Sequence, residues 1–443
     1  MHEEMVPAER PRLRLVLAGL PAAFLGMSLG LGKIVRDCSL TCNVGYDLSP
    51  LAILAIAVLA LPLSAVRVRW ERRFGSHAWQ LGCTLLAASS FLVFRLLTFV
   101  LFRGQQAAEQ SDGDPSSWIL ALRLVYLAFY VWVGVVTAFL GANAFGHVFR
   151  LFRGEDRERG FVAVGIGIVV GGMAGSALAK LLASVSFRFM DWRFELVRDN
   201  LMGPMGLALL LQVPVILAIE RLSGRQAAAA AGPPRAATRL GALLKEVAEH
   251  PDLGRLAALM LIGGVADTIL KYLFYWLVSE QTGPTNGRTL YFANFYLWLN
   301  GASLLMLAFG SSRLIQRFGV GLALLSLPAA VSLGALSLAF STVLAIMYVL
   351  KIVESALHST LYEPGVDRLY LLIPDDRAAE VRALLTGLVS RIGEGAGALL
   401  VLVLSFGVGI SLRAMTLVLL GVLLAWLGAA LFVRSGFASQ ATA

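Results

Sequence analysis

The chain is a succession of apolar runs of about 20 residues separated by short polar loops, and no other feature restricts its fold so sharply. A run of that length crosses a roughly 30 Å hydrocarbon core as an α-helix, because a backbone in lipid must satisfy its own hydrogen bonds. Twelve spans are expected, at residues 14–35, 48–66, 78–102, 117–148, 159–185, 203–220, 252–279, 290–310, 319–342, 344–365, 380–408 and 411–433. Of the 443 residues 58% are hydrophobic and 15% are charged. Soluble domains carry about a quarter charged residues, so the fold class is an all-α integral membrane protein.

The first run follows a short charged head (Glu3, Glu4, Arg10, Arg12, Arg14) and passes into a full span without a small-residue cleavage site. Neither a secretory signal nor a transit extension is expected. Three cysteines are too few for a disulfide framework; Cys38 and Cys42 fall in one expected external loop, where their pairing stays open. The net charge of +9 points to cationic cytoplasmic loops and not to nucleic acid, since no soluble basic domain is present to hold any.

Arginine placement sets the orientation. "RVRWERRFG" follows span two, "RLFRGEDRERG" span four and "SSRLIQRFG" span eight, all on the side of the N-terminus. "GQQAAEQSDGDPSS", on the other side, has no Lys or Arg. Positive-inside logic then puts both termini in the cytoplasm, and a bacterial inner membrane is the expected location. The external stretch "SVSFRFMDWRFELVRDN" mixes aromatics with charges and is expected as a helix lying in the interface. The one long polar interval, Ser223 to Pro251, contains "LGALLKEVAEH" as a short amphipathic helix. It reads as a linker (223–251) between an N-terminal bundle (1–222) and a C-terminal bundle (252–443).

Two loops occur twice. "ERRFG" (Glu71 to Gly75) follows span two and "QRFG" (Gln316 to Gly319) follows span eight. After spans four and ten comes an Arg-Leu-aromatic, then Asp156-Arg157 or Asp376-Arg377, then a Gly-x-x-x-Gly helix with Gly171 and Gly175 or Gly393 and Gly397. A loop recurring six helices later implies two six-helix repeats of like topology, the plan of major facilitator transporters. A single Gly-x-x-x-Gly means only close helix packing. The paired placement is what informs.

"HPDLGRLAALMLIGGVADTILKYLFYW" and "LYEPGVDRLYLLIPDDRAAEVRALLTGLVSRIGEGAGALL" resemble the ATP/ADP carrier family, the nucleotide translocases of plastids and intracellular bacteria with their bacterial relatives. The Asp-x-x-x-Lys of span seven is matched by Asp267 and Lys271. A Pro-x-x-[Asp/Glu]-x-x-x-Tyr and Arg-x-Gly-[Asp/Glu] unit is loosely matched by Pro364, Tyr370, Arg391, Gly393 and Glu394, and "GKIVRD" is similar to the family's element in span one. The resemblance implies the major facilitator fold and exchange of a nucleotide or related anion.

Ionisable groups within spans are costly and usually face a cavity or a partner. On the facilitator plan spans one, four, seven and ten line the cavity, and all four carry charge. Span one has Lys33 and Asp37 on one face with Arg36 close by, span four Arg123, and span seven Asp267 and Lys271. Span ten carries Lys351, Glu354 and His358 on one stripe, and span eleven Arg391 and Glu394. With Arg95 and Lys180, the bases number eight and the acids four. That surplus suits an anion, whose phosphate or carboxylate oxygens match Arg and Lys donors. The same pairs could instead neutralise one another as structural ion pairs, and Lys33, Arg36 and Lys180 could reach outward from span ends. His358 is open to an interior hydrogen-bonding role or to proton coupling.

Enzyme classes are disfavoured: "GLGKIV" lacks phosphate-loop spacing, no Gly-x-Ser-x-Gly elbow occurs, and His and Cys never approach zinc-ligand spacing. No metal and no cofactor are expected. The sequence therefore points to a monomeric secondary transporter of an organic anion, working by exchange or with a proton. A carrier of a lipid-like or drug-like solute, or a non-transporting membrane module, are the alternatives.

Overall fold

The computed structural model describes residues 11–110, 114–151, 156–184, 197–223, 247, 249, 251–283, 285–308, 311–370 and 381–440. These residues hold no β-strand. The first half contributes α1 (Pro11–Ser39), α2 (Ser49–Gln110), α3 (Ser116–Leu151), α4 (Asp156–Ser184), the single turn α5 (Val197–Asn200) and α6 (Met202–Ser223). The second contributes α7 (Pro251–Gln281), α8 (Thr285–Ala308), α9 (Ser311–Phe340), α10 (Leu344–Leu357), α11 (Glu363–Tyr370), α12 (Ser390–Leu402) and α13 (Leu412–Gln440). Among the described residues, eleven helices are long and apolar enough to cross a membrane, and Tyr46–Ala60, within the expected second span, is a shorter apolar helix.

Several helices extend as π turns that the periodicity did not announce. Leu40–Val44 continues α1, His358–Tyr362 joins α10 to α11, and Ala383–Val389 and Val403–Val408 flank α12. Cys38 and Cys42 accordingly do not sit in a loop. Cys38 is buried in the last turn of α1, and Cys42 lies one turn on; their sulfurs are 3.5 Å apart and not joined in a disulfide. Most of the expected linker, and residues 185–196 of the expected interfacial helix, lie outside the described residues. The side chains of Asp156 and Arg157, and all of Asp376-Arg377, lie outside them too.

Both repeated loops turn at a glycine for the same reason. α2 bends at Gly75 (φ 81°, ψ 156°) and α9 at Gly319 (φ 79°, ψ 166°). A side chain with a Cβ rarely tolerates that region, so the final glycine of each "RFG" is required by the backbone.

Packing divides the chain into two compact units, one of Met1–Val44, Leu63–Pro234 and Thr282–Leu304, the other of Gly45–Pro62, Arg235–Gln281 and Leu305–Ala443. Each takes in one short segment from the opposite half of the sequence. In the first unit α1 and α4 approach through glycines on both sides. A Cβ on Gly26 would strike the Ile168 carbonyl, and one on Gly171 the Ala23 carbonyl. A Cβ on Gly175 would lie 2.6 Å from the Met27 carbonyl oxygen. In the second unit α7 meets α12 in the same manner. Gly393 abuts the Leu261 carbonyl, and a Cβ on Gly264 would lie 2.8 Å from the Ser390 carbonyl oxygen. The two Gly-x-x-x-Gly elements thus do one job twice: each seats the fifth helix of a repeat against its first. Leu96, Leu333 and Leu424 are more than 60% exposed, as apolar side chains are when lipid is the solvent.

Candidate functional site

In the second unit four charged side chains form one network. Asp267 and Lys271, one turn apart on α7, meet at 2.5 Å. Lys351, on α10, lies 2.7 Å from Glu354 and 3.5 Å from Asp267, so it joins the two helices. Ser355 donates a further hydrogen bond to Glu354 at 3.0 Å. Lys351 and Glu354 are buried, whereas Lys271 and Asp267 keep about a third and a quarter of their side chains accessible (34% and 27%). The formal charges are two positive and two negative. Burial of such a set is tolerable because every member has an opposite partner.

His358 stands on the same stripe as Lys351 and Glu354, but the π turn begins there. Its ring stacks on Tyr362 at 5.6 Å and its Nδ1 lies 3.9 Å from the Glu363 carboxylate. Arg391 and Glu394 close on each other at 2.7 Å on α12. The Glu394 carbonyl, in turn, accepts from the Thr268 hydroxyl at 3.2 Å, tying this pair to α7 beside Asp267. Next along α7, Tyr272 and Trp276 form an aromatic trio with Tyr46, which stacks on Trp276 at 5.7 Å.

The first unit has its own cluster. Asp37 is only 1% exposed. It accepts from Arg36 Nε at 2.7 Å and from the Tyr296 hydroxyl of α8. Arg36 lies over the Tyr130 ring at 4.9 Å, and Lys33 lies 6.0 Å from the centre of the Tyr296 ring. A second buried carboxylate, Asp199, accepts from the Tyr126 hydroxyl at 2.6 Å, and the neighbouring Asn200 accepts from Arg95 at 2.6 Å. Among the described residues of this unit, the two buried acids are therefore held by tyrosine hydroxyls.

The surplus of bases is distributed differently from expectation. All four acids counted within spans have basic partners. Arg123 is exposed on α3 and joins neither cluster, Lys180 is exposed on α4, and Arg95 is engaged by Asn200. Lys351, whose pairing with Glu354 was open, is held between two carboxylates. Tyr296, Tyr126 and Asp199 were missed. A tyrosine inside an apolar run looks like packing, and Asp199 fell in a stretch read as interfacial. The four-residue spacing of Tyr296 and Asn300, whose side-chain amide donates to the Tyr296 carbonyl, is the faint polar signal that was available.

Three solved transporters share this architecture over nearly their whole length. A bacterial homolog of the human lysosomal transporter Spinster, inward-facing and unoccupied, aligns with a TM-score of 0.58 at 14% identity, over 98% of each chain. The inward-open xylose transporter XylE from E. coli aligns with a TM-score of 0.58 at 12% identity, over 96% of this chain and 95% of its own. A mutant of the nucleoside transporter NupG aligns with a TM-score of 0.56 at 14% identity, over 95% and 99%. The chain has the major facilitator fold. At such identities the likeness is one of fold alone. No protein-family model matches the sequence, and no curated protein does.

Proposed function

We propose that this protein is a secondary-active transporter that moves a small organic anion across a bacterial inner membrane by alternating access. The observation that carries this reading is the charge network of Asp267, Lys271, Lys351 and Glu354, set on α7 and α10 within a major facilitator fold. Structural ion pairs alone gain little when buried, so a retained intramembrane network points to a ligand or ion pathway. Lys271 and Lys351 would meet the anion, with Arg391 on the neighbouring helix as a further donor. A nucleotide or another phosphorylated metabolite is the class favoured, on the resemblance of Asp267, Lys271, Pro364, Tyr370, Arg391, Gly393 and Glu394 to the ATP/ADP carrier motifs. The Arg-rich loops support cytoplasmic termini, and the repeated loops support halves at 1–222 and 252–443. One observation favours a second reading, a non-transporting membrane module: Lys351 is already engaged by two carboxylates.

The test is a thermal-shift panel on the purified protein with ADP, glucose 6-phosphate and succinate, and adenosine as an uncharged control. A ligand at about 100 times its Kd stabilises by about 2.7 kcal/mol, which raises the melting temperature measurably. At least one anion is expected to do so, and Lys271→Gln, at the more accessible lysine, to abolish the shift. A response to adenosine and to none of the anions would overturn the anion reading.

A further inference from the structure

The network that would receive the anion is already electrically balanced, and this constrains what must accompany it. Asp267 and Glu354 contribute two negative charges, Lys271 and Lys351 two positive ones, all within the contacts described above. An added anion would leave the set negative in a low-dielectric surround, where an uncompensated charge tends to be neutralised.

The four contacts are not equivalent. Lys271, with 34% of its side chain accessible, is the lysine an arriving anion reaches, whereas Lys351 is 8% accessible. If Lys271 turns to the ligand, Asp267 loses its 2.5 Å partner and keeps only the 3.5 Å contact to Lys351. Glu354 loses nothing: it retains Lys351 at 2.7 Å and the Ser355 hydroxyl at 3.0 Å. The elements packed on α7 offer Asp267 little else. On α12, Arg391 is closed on Glu394 at 2.7 Å. His358, beyond α10, has its Nδ1 3.9 Å from Glu363, and when protonated its charge also acts on Asp267, more weakly than either lysine. The π turn Ala383–Val389 carries no ionisable group. The α13 face brings Trp426 against Gly263, with Arg255 drawn to Asp252 at the far end of α7. The short turn Tyr46–Leu48 brings Asp47, a like charge.

We infer that the protein binds its anion together with one proton, which Asp267 accepts as Lys271 leaves it, so that a singly charged ligand is carried as electroneutral proton–anion symport. This rests on the anion reading above and names the coupling ion of the same site. The proton comes from solvent and resides on a carboxylate oxygen of Asp267. It returns to solvent when the anion departs and Lys271 closes back. For a ligand of higher charge the count is still one proton per anion, with the remaining charge moved across the membrane.

The test is the pH dependence of affinity in the full-length protein. Dissociation constants for ADP, glucose 6-phosphate and succinate are measured at pH 6, 7 and 8 for wild type and Asp267→Asn. Each probe's own titration is common to both proteins and cancels in the comparison. Obligate uptake of one proton weakens wild-type binding by about tenfold per pH unit relative to the variant. Asp267→Asn, which mimics the protonated acid, is expected to follow the probe's own titration alone. In weakly buffered solution at pH 8, where the probes are almost fully ionised, adding the anion to wild type should remove one proton from the medium, a count that needs no variant. If an anion binds with parallel pH profiles in the two proteins and takes up no proton, the coupling is overturned while the anion reading stands. If no anion binds at any pH, the anion reading falls and the coupling with it.

Discussion

Lys351 answers to two carboxylates and Lys271 to one in the described network, and that difference sets what each substitution does. Lys351→Ala strands the buried Glu354 and weakens the hold on the partly exposed Asp267. It is expected to cost about 3–5 kcal/mol, the largest loss of melting temperature among the four single variants. Lys271→Ala acts on a third-exposed pair and should cost nearer 1 kcal/mol. Removing Asp267 and Lys271 together should harm stability less than the two single losses summed, by a double-mutant cycle on melting temperature; strict additivity would show that they do not interact. In the first unit Tyr296→Phe leaves Asp37 without its tyrosine donor and should cost about 1.5–3 kcal/mol. Arg123→Ala, on an exposed face of α3, is expected to leave anion affinity within about twofold. The sequence made the pairs within one helix legible, since a three- or four-residue step fixes the face. It could not show that Lys351 reaches across to Asp267, because the register between α7 and α10 depends on packing. Nor could it show that Tyr296 holds Asp37, because its hydroxyl is invisible in a hydrophobic pattern.

The helices themselves were nearly all readable, and the recurring glycines were the most informative part. The paired Gly-x-x-x-Gly elements promised a close helix contact without naming the partner. The structure supplies it: α1 for α4, and α7 for α12. Gly171→Val and Gly393→Val drive a side chain into a carbonyl of the facing helix, and each should destabilise by about 1–3 kcal/mol or more. Gly165, on the same helix as Gly171 but with nothing within 4 Å of a Cβ, is the control. Gly165→Ala is expected to be neutral or to stabilise by about 0.5–1 kcal/mol. Gly75→Ala and Gly319→Ala should each cost about 1–3 kcal/mol, because the backbone at both lies in a region reserved for glycine. The π turns were not readable. A π turn adds one residue to a turn without changing its composition, so the apolar pattern passes through it unbroken.

At the scale of the whole chain, the two repeats account for why the same loops and the same close helix contact occur six helices apart. The compact units nevertheless take in Gly45–Pro62 and Thr282–Leu304 across the halves of the sequence. No composition shift marks those segments, which belong to continuous spans. The transport claim is tested most directly by uptake into proteoliposomes of labelled ADP, glucose 6-phosphate and succinate, beside adenosine. At least one anion should enter faster than into protein-free liposomes, with Lys271→Gln abolishing that uptake and Arg123→Ala preserving it. Uptake no faster than in protein-free liposomes for all three anions, in protein shown to be folded, would contradict the assignment.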